Sequence, residues 1–170
     1  MNYFLILLLM VCGPAFALDL NSLPRTVIGT ESQNGGTEDQ FAQKVGGVLQ
    51  RYSVRTGYEA CADICKTADG WSAKIVSIGS HMSCSTTRRC DQGRYQTLIH
   101  SHPIERSFEA NSMDERISRQ GVKAGQTLMA EDPRDFSDQD YTIPGYMVVY
   151  GQVWHQQGKG TERLVGPIER

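Results

Sequence analysis

Four cysteines, Cys61, Cys65, Cys84 and Cys90, lie close together along the chain, and how they pair constrains everything around them. Their redox state follows from the first seventeen residues, MNYFLILLLMVCGPAFA. An apolar run, then Gly-Pro, then Ala-Phe-Ala reads as a secretory signal peptide over residues 1–17, cleaved after Ala17. The run is too short to span a bilayer. Cys12 leaves with it, or carries a lipid if the leader belongs to a lipoprotein. The four remaining cysteines make an even count in an exported chain, which predicts two disulfides. A four-thiolate zinc site is the rival; an oxidising compartment and the C-x3-C and C-x5-C spacings oppose it. In a straight strand Cys61 and Cys65 stand about 13 Å apart, too far to bond each other. Each then reaches the Cys84/Cys90 loop, with a local Cys84–Cys90 bridge open if the strand bends.

The leader carries no charged side chain, so the mature chain keeps the formal charge of −2. That balance gives no reason to expect nucleic acid or an anionic membrane as partner. A length of 170 residues fits one domain. Residues 18–36 read as an extended polar lead-in. TEDQ then places Thr37 three residues before Gln40, a capping-box signature. Phe41, Val45, Val48, Leu49 and Tyr52 recur at helical spacing, which predicts a helix over about 38–52, weakened by Gly46 and Gly47. GYEACADICK and WSAKIVSI flank the turn-like TADG and predict an antiparallel hairpin. Alternation sets Glu59, Cys61, Asp63 and Cys65 on one face and Tyr58, Ala60, Ala62 and Ile64 on the other. A polar loop over 79–94 leads to the strand YQTLIH. A long polar stretch, about 104–136, holds a helix near Ser112–Arg119. FSDQDY predicts a helix start with Ser137 as N-cap and Asp140 at N3. GYMVVY-G-QVWHQQ reads as a final hairpin turning at Gly151, and RLVGPI as an edge strand. No transmembrane span is expected in the mature chain.

The stretch TLIHSHPIERS contains half of the four histidines. At i and i+2 on a strand, His100 and His102 face the same way and can aim both imidazoles at one ion. Pro103 ends the strand, because proline cannot donate to a ladder. A catalytic zinc takes three protein ligands and leaves a fourth position open, so a carboxylate is the missing third. A pair of incidental surface histidines fits the spacing equally well.

HSHP, followed by the Ser-x-x-Asp of Ser137 to Asp140 and preceded by Glu59 on an earlier strand, resembles the JAMM motif of JAB/MPN-type zinc metalloproteases. The resemblance covers about residues 37–157 and is strongest to secreted bacterial JAB-like domains. It implies an α+β, α/β/α-like fold of the cytidine-deaminase-like kind, with a curved mixed sheet flanked by helices. Residues 37–170 would form that domain, with an insertion at about 104–136. His100, His102 and Asp140 would hold Zn²⁺, and Glu59 would take a proton from a zinc-activated water and pass it to the leaving amine. Ser137 would steady the developing oxyanion. The reaction implied is hydrolysis of a peptide or isopeptide bond. In this chain Asp140 stands 38 positions after His102, further than the family's usual form places it. Asp114, in SMDE, is the competing third ligand.

An exported location turns the expected substrate towards cell-wall peptides or an envelope or foreign protein, in the periplasm or outside the cell. Two alternatives remain: a catalytically silent binding module of the same family, and a disulfide-stabilised envelope protein with incidental histidines. Of the other reactive residues, His81 reads as a loop histidine, His155 as a surface or packing residue, and Trp71 and Trp154 as core. A nucleophilic role for Cys61 yields to its disulfide.

Overall fold

The structure, a computed structural model, describes residues 22–105, 107–118, 121–130 and 132–169. The expected leader and cleavage point, with Cys12, lie outside the described residues. Along the chain run β1 (Thr26–Asn34), α1 (Glu38–Thr56), β2 (Cys61–Lys66), β3 (Gly70–Ser77) and β4 (Arg94–Ser101). There follow β5 (Ser107–Glu109), α2 (Ser112–Ile117), β6 (Thr127–Met129), β7 (Gly145–Val149), β8 (Gln152–Gln156) and β9 (Arg163–Pro167). Seven strands form one sheet in the order β1-β3-β2-β4-β7-β8-β9, and β5 and β6 form a separate ribbon. The sheet is mixed: β4 and β7 are parallel and the other pairs antiparallel. The fold is therefore α+β, as expected.

α1 forms where the capping box predicts. Thr37 Oγ1 accepts from the Gln40 N–H at 3.2 Å, and Gln40 Oε1 accepts from the Thr37 N–H at 3.0 Å. Its apolar stripe buries Phe41, Val45 and Leu49 against Ala60, Ala62, Ile64 and Ile75 of the sheet. Gly46 and Gly47 are the price of close approach, not a flaw. A methyl on Gly46 would stand 3.2 Å from Val148, Val153 and Ile168, and one on Gly47 would strike the Glu169 carbonyl. The helix runs four residues past the predicted end, to Thr56. Apolar periodicity stops at Tyr52, but the signal that ends the helix is Gly57, left-handed at φ 75°, whose N–H bonds the Ser53 carbonyl.

The predicted alternation of β2 holds. Ala60, Ala62 and Ile64 enter the core under α1. Cys61 and Cys65 face the other way and bridge to Cys84 and Cys90, with Cα–Cα distances of 5.9 and 6.0 Å. Asp63, on the cysteine face, accepts from Thr86 Oγ1 at 2.7 Å and the Arg89 N–H at 3.2 Å, so a buried carboxylate and two disulfides hold one loop. The terminal hairpin turns on Tyr150 and Gly151, both at positive φ, as a two-residue turn demands. β9 forms its predicted edge.

Three expectations need correction. The described part of the 18–36 lead-in is β1, an edge strand on β3, so the sheet begins before residue 37. FSDQDY opens no α-helix; it makes a single 3-10 turn, Asp140–Thr142. An α-helix there would need an N–H at position 144 to bond the Asp140 carbonyl, and residue 144 is proline. Gln156 Nε2 takes that carbonyl instead, at 2.8 Å. Finally, among the described residues the face opposite α1 carries no second long helix. Loops, the disulfides and the small apolar cluster of Phe136, Met147, Val149, Tyr141 and Trp154 cover it. No described helix is long and apolar enough to cross a membrane.

Candidate metal centre

The parallel pairing of β4 with β7 needs a crossover connection, and residues 102–144 supply it. The centre sits where β4 ends and that crossover begins and returns. Ser101 points under α1, its hydroxyl 2.6 Å from Ser53 Oγ. Its neighbours His100 and His102 therefore project from the opposite face. The backbone stays in the sheet through both: the Ser101 N–H bonds Ala60 O at 2.9 Å, and the His102 N–H bonds Val148 O at 3.0 Å. Pro103 follows and the strand stops.

The returning end of the crossover brings Asp140 to the pair. The two Nε2 atoms lie 3.0 Å apart, Asp140 Oδ1 is 3.3 Å from His100 Nε2, and Asp140 Oδ2 is 4.0 Å from His102 Nε2. A tetrahedral ion with bonds of 2.0–2.1 Å spaces its ligands about 3.3 Å apart. The three side chains thus converge as ligands of one divalent ion would. The chemistry of the donors agrees. His102 Nδ1 lies 2.9 Å from the Pro133 carbonyl, which can only accept, so Nδ1 carries the proton and the Nε2 lone pair faces the centre. Burial, with His100 beside it, pulls the His102 pKa down to about 4, keeping the ring neutral. Two imidazoles and one carboxylate suit a divalent first-row metal ion.

Ser137 holds the carboxylate in place. Its N–H and hydroxyl both donate to Asp140 Oδ2 at 2.8 Å, which leaves Oδ1 towards His100. Burial would raise the Asp140 pKa, but His100, the Ser137 bonds and His102 outweigh it and keep the group ionised below the usual carboxylate value.

Glu59 lies just outside β2. The β2–β4 register pairs Cys61 with His100, and the Ser101 N–H bond to Ala60 O carries the pairing one residue further, so Glu59 comes next beside the histidine end of β4. Its residue is 9% exposed. Burial first, then the Asp140 and Asp114 carboxylates, raises its pKa well above the ordinary glutamate value. The carboxyl therefore holds a proton more strongly than an exposed glutamate does.

Asp114 does not join the histidines. Its carboxylate is filled by protein donors: Ser80 Oγ, the His81 N–H, His81 Nδ1 and the Asn111 N–H, at 2.6 to 2.9 Å. Burial acts to raise its pKa, and these bonds reverse the shift. Asp140 is the carboxylate that reaches the centre. His81 lies in a loop and outside the metal group, as expected from sequence, and there its ring pairs with Asp114. His155 packs on Tyr146, ring centres 4.4 Å apart, and Trp71 stacks on Phe41 in the core, both as expected. The Pro133 carbonyl escaped sequence reading entirely, because a backbone acceptor leaves no residue-type signal. An open groove of about 630 Å³ beside Gln40, Lys44 and Pro167 lies on the α1 side and includes none of these residues.

No protein-family model matches the chain, and neither the curated proteins nor the solved structures include one significantly similar to it.

Proposed function

We propose that the chain is an exported zinc metallopeptidase of the JAB/MPN type, hydrolysing a peptide or isopeptide bond. The observation that carries this reading is the convergence of His100, His102 and Asp140, with His102 fixed in the tautomer that offers Nε2. The resemblance of HSHP, Ser-x-x-Asp and Glu59 to the JAMM motif supplies the reaction class, and the mixed sheet with α1 on one face is compatible with that fold. The two disulfides and the apolar leader suit export.

A zinc ion held by the three side chains would supply a Lewis acid and bring a water's pKa to about 7. Glu59 accepts the proton, since its buried carboxyl already holds one more readily than an exposed glutamate does, and returns it to the leaving amine. The Ser137 N–H can keep Asp140 in register by itself, and the hydroxyl would have to leave Asp140 Oδ2 to donate to the developing oxyanion. Cell-wall stem peptides and envelope or foreign proteins are the substrate classes that export allows.

Zinc-loaded mature protein should cleave within a quenched-peptide library that includes cross-linked stem peptides. A chelator should stop cleavage, and zinc should restore it. Zinc-bound protein that cleaves nothing, with a Glu59→Gln variant that keeps its biological effect, would turn the reading to a binding module.

A further inference from the structure

The crossover between β4 and β7 touches the candidate site at more than its two ends. Asn111 and Asp114, the N-cap and third residue of α2, grip three consecutive residues of the turn after β3. Asn111 Nδ2 donates to Gly79 O at 2.8 Å. Asp114 Oδ1 accepts from Ser80 Oγ at 2.6 Å and the His81 N–H at 2.9 Å; Oδ2 accepts from His81 Nδ1 at 2.7 Å. Asp114 and Ser80 are completely buried. Phe108 of β5 stacks on the His81 ring, and Tyr58 meets it edge-on, each with centroids 4.7 Å away.

The gripped turn is also what holds Glu59. Ser80 O accepts the Glu59 N–H at 2.8 Å, and Ser77 Oγ donates to the Glu59 carbonyl at 2.6 Å. A buried chain of bonds therefore runs from α2 through Ser80 to Glu59. Further along the same crossover, Pro133 O fixes His102.

We infer that Asp114 is a positioning residue of the site: by pinning the 79–81 turn it holds Glu59 beside the histidine end of β4. The crossover is then a working part of the site rather than a cover over it. This rests on the reading of Glu59 as the proton acceptor. Asp114 can hold the turn because an ionised carboxylate accepts at both oxygens, and four donors converge on it. Asparagine has the same shape but turns one oxygen into a donor. That group would face the Asn111 N–H, which cannot accept, and would keep His81 Nδ1 only by forcing the ring into its other tautomer. A general stabiliser would loosen the whole sheet when removed; a positioning residue loosens Glu59 alone.

The test compares the exported parent with Asp114→Asn and Ser80→Ala. Ser80→Ala removes one hydroxyl and keeps the carbonyl that binds Glu59, so it serves even if Asp114→Asn fails to fold. Amide hydrogen exchange is read by NMR at Glu59, Ile99 and Val148, together with the ¹³C resonance of the Glu59 carboxyl and the zinc stoichiometry. The expected result is exchange about tenfold faster at Glu59, from loss of one buried anchor. The Glu59 carboxyl resonance should shift, while Ile99, Val148 and zinc content match the parent. Unchanged Glu59 signals in both variants would overturn the inference, as would equal loss of protection at all three amides. A parent that binds no zinc would overturn the peptidase reading separately, and the exchange data would still decide whether Asp114 positions Glu59.

Discussion

Replacing Cys65 and Cys90 by alanine should destabilise the protein by an amount that depends on the other bridge. Alone, the Cys65–Cys90 bridge closes a loop with a sequence separation of 25, worth about 3.5 kcal/mol in the chain-entropy estimate. The Cys61–Cys84 bridge overlaps that loop. With it intact, the unfolded chain already connects Cys65 to Cys90 by a path of only about ten residues, back to Cys61, across the bridge and on from Cys84. The same estimate then falls to about 2.7 kcal/mol. Removing this pair first should therefore cost less than removing it from a chain that already lacks Cys61–Cys84. Urea unfolding of the four proteins, followed by far-UV circular dichroism, measures both steps. A first-step loss below about 1 kcal/mol, or a second step no larger than the first, would refute the reasoning. Because Cys65 pairs with Tyr95 and Cys61 with His100, removal of Cys65–Cys90 should also leave the metal centre intact.

Glu59→Gln should keep the zinc stoichiometry of the parent and lose hydrolysis; retained turnover on a cleavable peptide would remove Glu59 from the mechanism. Asp114 has a folded pKa below its unfolded value of 3.8, so the unfolded state binds the extra proton between the two. Its contribution should be present in full above the unfolded pKa and fade as pH falls through the folded one, and acid unfolding of Asp114→Asn should lack that part of the slope. Leu49→Ala, at a fully buried helix position facing the sheet, should cost about 2–5 kcal/mol in urea unfolding without altering metal content.

The features legible in the sequence were those with a local signature. The Thr37–Gln40 box, the apolar stripe of α1, the alternation of β2 and the HSHP strand end each depend on neighbours within a few residues. Strand rise excluded a Cys61–Cys65 bond in a straight strand and pointed both to the 84–90 loop, but a local Cys84–Cys90 bridge stayed open until the structure paired Cys61 with Cys84 and Cys65 with Cys90. What stayed hidden was set by partners far along the chain. β1 exposes much of both faces, so it lacks an apolar alternation. β5 and β6 have three residues each, too few to show a period. The helix promised by Ser137 and Asp140 was cut short by Pro144 and Gln156, one visible in sequence and one sixteen residues away. Asp114 carried the right residue type for a ligand. Only the fold shows that Ser80, His81 and Asn111 have already taken its oxygens.

The most direct test of the metal centre is the metal content of protein exported to an oxidising compartment, determined by mass spectrometry for the parent, His100→Ala and Asp140→Ala. One zinc per chain in the parent, lost from both variants, is the predicted result. A parent without metal, or variants that retain it in full, would contradict the assignment of His100, His102 and Asp140 as its ligands.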